Sequence, residues 1–264
     1  MLRMLSEAES PLLAPFEAPP ARVLNARGGV PAVLVCEHAS RFIPAALKGL
    51  GLEDAAARSH AAWDIGAFDL SVELMGALDA PLVHSRISRL VYDCNRPPSR
   101  ADAMPHVSEV FTVPGNADLT DDQRAQRVRN VYQPFQNALS ATLDARPTPR
   151  VLITIHSFTP VYKGHRRTVE LGILHDEDDR AARSMLKHAQ GSGLQVALNE
   201  PYSATDGVTH TLREHGIARG LANVMIEVRN DLIDTPTGVN GMVGLLAPIL
   251  QATIRDFAQV DAPS

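Results

Sequence analysis

Cysteine is scarce in this sequence: Cys36 and Cys94 are the only two, too few for a disulfide framework, so reduced thiols are expected. Aromatic residues make up 5% of the chain, and the core must therefore come mainly from Ala, Leu, Val and Ile. Basic charge is not in excess either. A formal net charge of -5 argues against a nucleic-acid or membrane-surface binder, which would carry a basic face. No run of about 18 apolar residues stands out as a transmembrane helix, and the first thirteen residues are interrupted by Arg3, Glu7 and Glu9, unlike a secretory signal. A cytoplasmic location is expected by elimination. The Gly-x-Ser-x-Gly elbow of serine hydrolases is missing, and no P-loop or dinucleotide fingerprint follows a strand pattern.

What is present suits an ordinary globular enzyme: 264 residues, 45% hydrophobic and 21% charged, a length that fits one α/β domain. The first thirty residues, rich in Pro and Ala, read as an irregular arm laid over that domain. Residues 32–36, 80–84, 151–155 and 222–226 are short apolar runs of the kind buried on both faces of a parallel sheet. Helical spacing appears over residues 63–77, with Asp64 in the first turn, and over residues 121–143. The second of these opens with a Thr120–Gln123 capping box and should kink at Pro134. Further strand and helix patterns alternate over residues 168–174, 179–190, 195–198 and 208–215. A C-terminal helix carries Val239, Met242, Leu246, Ile249 and Leu250. Such alternation predicts a three-layer α/β/α fold with a mostly parallel, mixed sheet.

Three buried-strand patterns end in polar residues that packing does not require: Glu37-His38, His156-Ser157, and Glu227 with Arg229. Ligands in such folds bind beyond the carboxyl ends of strands, where these residues would meet. Zinc hydrolysis needs about three protein ligands, an open position for water, and a carboxylate to take the water's proton. His38, Asp64 and His156 are the expected ligands of one ion, with Glu227 as general base. Glu37 and His60 compete with Asp64 for the acidic or third position. Arg229, two residues beyond Glu227 and so on the same strand face, is a candidate catalytic partner. The long polar loop over residues 86–100 concentrates Arg86, Arg89 and Arg96 beside Asp93 and Asn95. Arg89 can bind a substrate carboxylate through paired hydrogen bonds, and His210 can polarise the scissile carbonyl.

With these residues in view, the chain resembles the N-formylglutamate amidohydrolase family over roughly residues 30 to 255. The matching segments are Val35-Cys-Glu-His-Ala-Ser40, Trp63-Asp-Ile-Gly66, the stretch from Ser88 to Pro97, Ile153-Thr-Ile-His-Ser157 and Ile226-Glu-Val-Arg-Asn-Asp231. The resemblance implies a fold similar to zinc-dependent exopeptidases, and hydrolysis of N-formylglutamate to formate and glutamate, as in histidine degradation. Those exopeptidases use a His, an acidic residue, a second His and a late Glu, the order met here as His38, Asp64, His156 and Glu227. Some family members have proline where this chain has Glu37, which ranks Glu37 below Asp64 as a ligand. The Asp-x-Asn-Arg segment suggests Asn95 and Arg96 as substrate-binding residues. The implied partner is a small acidic N-acyl amino acid, acted on by a monomer or small homo-oligomer without nucleic acid or membrane. Two other readings stay open: a zinc amidase or carboxypeptidase acting on a peptide or cell-wall fragment, and a metal-free sensor of an acidic metabolite.

Overall fold

The computed structural model describes residues 11–146 and 150–258. Among them, seven strands form one sheet: β1 (Ala21–Leu24), β2 (Ala32–Cys36), β3 (Leu82–Ser85), β4 (Val151–Phe158), β5 (Leu171–Leu174), β6 (Val196–Leu198) and β7 (Ala222–Arg229). Their order is β1-β3-β2-β4-β7-β5-β6. The central four, β3, β2, β4 and β7, are parallel. β1 runs antiparallel to β3 and β5 antiparallel to β7, while β6 is parallel to β5. This is the mostly parallel, mixed sheet that the alternating pattern predicts.

The longer helices are α1 (Ala67–Leu78), α2 (Asp121–Arg127), α3 (Gln133–Asp144), α4 (Arg180–Ala189) and α5 (Pro236–Ala258). Strand side chains alternate between faces, so two cores form. Leu34, Ile153, Ile155, Val224 and Ile226 pack with Leu70 and Leu74 of α1, Met185 of α4 and Leu246 of α5. From the opposite face, Val33, Val35, Leu152 and Met225 pack with Phe135, Leu139 and Leu143 of α3. The result is three layers.

Several local expectations are corrected. The arm over the first thirty residues includes β1, which pairs with β3 through Ala21↔Ser85 to Leu24↔Leu82; its residues 1–10 lie outside the described residues. The helix expected from residue 63 begins at Ala67. Asp64 is therefore in the preceding loop, because Gly66 adopts φ 77 and breaks helical geometry there. The Thr120–Gln123 capping box forms as expected. Pro134 does not simply kink one helix: a π turn over Val128–Tyr132 separates α2 from α3, a register change that accommodates a residue with no N–H to donate. Residues 208–215 contain a π turn rather than a regular α-helix. Helix α5 is, by length and mean hydropathy of 1.3, apolar enough to cross a membrane. Here Val239, Met242, Leu246, Ile249, Leu250 and Ile254 cover the sheet and α1 as part of the core.

Gly66 is the local key to the loop that holds Asp64. A Cβ on Gly66 would stand 2.2 Å from the carbonyl oxygen of Ile233, and its positive φ disfavours any L side chain. Gly66→Ala should cost at least about 1 kcal/mol of stability. Gly76→Ala, an exposed helix position where a Cβ meets nothing within 4 Å, should gain about 0.5–1 kcal/mol. Urea unfolding midpoints of the two variants check this, and equal midpoints would show that Gly66 is not a constrained position.

Candidate active site

Residue Glu227 pairs with His156 in the β4–β7 ladder, and Val35 pairs with Thr154 in the β2–β4 ladder, which brings Glu37 level with His156 just past β2. By strand alternation Glu37, His156 and Glu227 share the sheet face of Val33, Val35, Leu152 and Met225. An imidazole is thus flanked by two carboxylates. β4 and β7 continue through His156 and Glu227 instead of ending before them. The loop before α1 supplies Asp64, whose backbone N–H donates to the carbonyl of His38 at 3.0 Å. That bond fixes two distant segments of chain against each other.

Three donor atoms converge in this place. His38 Nδ1 lies 3.2 Å from Asp64 Oδ2, His156 Nδ1 lies 3.0 Å from the same oxygen, and the two Nδ1 atoms are 3.2 Å apart. The far nitrogens face other carboxylates: His38 Nε2 meets Asp93 Oδ1 at 2.7 Å, and His156 Nε2 lies 3.2 Å from Glu37 Oε2. Where Nε2 carries the proton, facing Asp93 for His38 and Glu37 for His156, each ring presents a lone pair at Nδ1. Two lone pairs and a carboxylate oxygen so close together repel unless a proton or a metal cation sits among them. Tetrahedral zinc with bonds of about 2.0–2.1 Å separates its ligands by roughly 3.3–3.4 Å, close to the spacing found.

Charge balance supports the same fit. The buried carboxylates Glu37, Asp64, Asp93 and Glu227 outnumber the guanidiniums beside them, Arg89 paired with Asp64 and Asp93 and Arg96 acting on Asp93, which leaves an excess of negative charge unless a divalent cation or protons enter. Burial pushes the Asp64 carboxyl up, but His38, His156 and Arg89 together hold it well below the usual range. Asp93 is likewise held down against burial by His38, Arg89 and Arg96. Burial lowers His156, yet Glu37, Asp64 and Glu227 raise it well above an ordinary histidine. Without metal, this site therefore draws protons that a bound cation would displace.

Glu227 behaves differently. Burial raises its pKa to about 7 in spite of His156 and His38, and its Oε2 is buried without a hydrogen-bond partner. His38, Asp64, His156 and Glu227 line a common cavity of about 150 Å³ together with His60, Arg89, Asn95 and Arg96.

The remaining expected residues divide. Glu37 does not join the three converging donors; it stands behind His156 with both carboxylate oxygens lacking a well-aligned hydrogen bond. His60 reaches only the other oxygen of Asp64, at 3.8 Å. Arg89 lines the cavity, but donates to Asp64 Oδ1 at 3.0 Å and Asp93 Oδ2 at 3.3 Å, so it braces the site's own acids. The side chain of Asn95 holds Val208 O and Thr211 N, and Arg96 pairs with Asp102 and the Asn95 carbonyl. The structure does not bring Arg229 or His210 to this cavity. Arg229, two residues past Glu227, meets Asp231 at 2.7 Å and Glu170 at 3.3 Å. His210 turns to the Tyr132 hydroxyl at 2.9 Å.

Sequence similarity agrees with this arrangement: the profile of the N-formylglutamate amidohydrolase family matches residues 30–234. The chain belongs to that family. His38, Asp64, His156 and Glu227 all fall inside the matched segment. The gene product Atu2144 of Agrobacterium tumefaciens has a similar structure, with 45% identity, a TM-score of 0.91, and coverage of 93% of this chain and 98% of its own. The fold is also shared with the N-formylglutamate amidohydrolase from Ralstonia eutropha JMP134, at 16% identity and TM-score 0.65 over 90% of this chain and 99% of that one. No curated protein shows significant sequence similarity to the chain.

Sequence reasoning missed Asp93 as the acid behind His38, and it missed Tyr162, Tyr202 and Glu109, which also line the cavity. Only the Asp-x-Asn-Arg segment signalled Asp93. Because Asp93 and Glu37 orient the imidazoles, Asp93→Asn and Glu37→Gln should each weaken divalent-metal binding by about 10–100-fold. His210→Ala should leave it unchanged. Competition against a chelating dye measures all three, and unaltered affinity in both acid variants would reject the orienting role.

Proposed function

We propose that the protein is a metal-dependent amidohydrolase that cleaves the amide bond of an N-acyl amino acid, with N-formyl-L-glutamate as the leading substrate and formate and L-glutamate as products. This would make it a cytoplasmic enzyme of histidine degradation. The observation that carries the reading is the convergence of His38 Nδ1, His156 Nδ1 and Asp64 Oδ2 beside an unpartnered Glu227 carboxylate in one cavity. Two imidazole nitrogens and one carboxylate oxygen suit zinc.

His38, Asp64 and His156 would hold the ion. When bound, it supplies a Lewis acid for the amide carbonyl and eases ionisation of water. Arg89 occupies Asp64 Oδ1 and so leaves Oδ2 directed at the two histidines. Glu227 takes the proton of the attacking water on its carboxylate and returns it to the leaving nitrogen. Its burial disfavours the charged form, which makes it a stronger base than a solvated carboxylate once ionised. The cavity of about 150 Å³ has room for a small N-acyl amino acid.

Formate or acid release measured across N-formyl, N-acetyl and N-succinyl amino acids should be fastest with N-formyl-L-glutamate. A chelator should abolish activity and added zinc restore it. Glu227→Gln should keep its metal and lose about two or more orders of magnitude in kcat. Chelator-resistant turnover, or full activity in Glu227→Gln, would overturn the mechanism.

A further inference from the structure

If the substrate is an acidic amino acid derivative, something near the cavity must bind its carboxylate, yet the nearby arginines are engaged elsewhere. Arg89 is held by Asp64 and Asp93, Arg96 by Asp102, and Arg229 by Asp231 and Glu170. Arg167 is the exception. It follows a small hairpin, Val161–Tyr162 paired with His165–Arg166, in the connection between β4 and β5. Its backbone is fixed at two points: its N–H donates to Pro160 O at 2.8 Å, and its carbonyl accepts from Arg229 Nη1 at 3.4 Å.

The Arg167 guanidinium lies among three aromatic rings, 4.6 Å from the centroid of Tyr162, 5.0 Å from Tyr202 and 5.4 Å from Phe158. Nη1 donates to Thr159 O at 3.3 Å and to the Tyr202 hydroxyl at 3.2 Å. Among the described residues it has no carboxylate partner, and Nε and Nη2 have no acceptor. A partly buried cation stacked on aromatic faces keeps its planar edge free for an anion. Tyr162 and Tyr202 line the cavity that holds His156 and Glu227, and the Arg167 charge acts on His60, Glu109 and Tyr202 around it. Glu109, at the rim, feels that charge without forming an ion pair with it. Lys163, His165 and Arg166 on the same hairpin are exposed, which adds a basic approach.

We propose that Arg167, walled by Tyr162 and Tyr202, is the specificity-determining residue that binds a carboxylate of the substrate through its free guanidinium edge. The assignment rests on the N-acyl acidic amino acid reading and extends it to one side chain that sequence reasoning passed over.

The test compares wild type, Arg167→Gln and Arg167→Lys, each checked for native circular dichroism and metal content. Glutarate binding is followed by calorimetry, and kinetics are compared on N-formyl-L-glutamate and N-formyl-L-glutamine. Arg167→Gln should lose about ten- to hundredfold in glutarate affinity and in preference for the charged substrate, mainly through KM, the size expected for a charged hydrogen bond. Arg167→Lys should recover part of the loss, since it restores charge without the fork. Undiminished glutarate affinity and preference in Arg167→Gln would overturn the assignment, as would a wild type that neither binds glutarate nor favours the charged substrate. A wild type that binds glutarate through Arg167 but hydrolyses neither compound would uphold the carboxylate site and reject the hydrolytic reading.

Discussion

Parallel pairing of β2, β4 and β7 in one register places Glu37, His156 and Glu227 side by side on a single face of the sheet. A slip of one residue in either ladder would turn one of these side chains to the opposite face, under α1 and α5. The register is secured by apolar neighbours on both faces, Ile153, Ile155, Val224 and Ile226 on one and Val33, Val35, Leu152 and Met225 on the other. The chemistry of the site therefore depends on hydrophobic packing several residues away from it. Glycine matters for a related reason: Gly66 lets the chain leave helical geometry, so that Asp64 faces His38 and His156 instead of opening α1.

Buried charge is then apportioned with little redundancy. Asp93 and Glu37 face the far nitrogens of His38 and His156, Arg89 bridges Asp64 and Asp93, and Glu227, like Glu37, keeps buried carboxylate oxygen without a hydrogen-bond partner. Grouping so many buried carboxylates is unfavourable for an isolated fold, and protons or a metal ion at the converging Nδ1 atoms would offset it. The arginines divide along the same lines. Those with acidic partners brace the scaffold, whereas Arg167, supported by tyrosines and by the backbone contact from Arg229, has donors free for a ligand.

Much of this was legible in the order of residues. Apolar runs of strand length, each followed by His or Glu, marked His38, His156 and Glu227, and the alternation of strand and helix patterns marked the layered fold. Arg89, Asn95 and Arg96 were also recognisable as neighbours of the site, because the loop bearing them is too polar and too long to be a connector. Their contacts were not legible: each turned out to be engaged by groups from within the fold, Asn95 by residues more than a hundred positions away. The contacts of Arg229 with Asp231 and Glu170 and of His210 with the Tyr132 hydroxyl were not legible either, because strand-face periodicity and loop position state a direction but not a partner.

The sequence by itself determined the periodicities, the cores and the presence of two histidines and a late glutamate at the ends of buried strands, with an aspartate just before a helix, since these follow from local patterns of polarity. Tertiary structure alone decided which acid meets which nitrogen, that Glu37 stands behind His156 rather than among the converging donors, and that Arg167, packed on Tyr162 and Tyr202, has no carboxylate partner among the described residues. Those outcomes depend on distances of about 3 Å between side chains far apart in the chain, and the register of the sheet and the path of the loops set such distances, not composition or spacing.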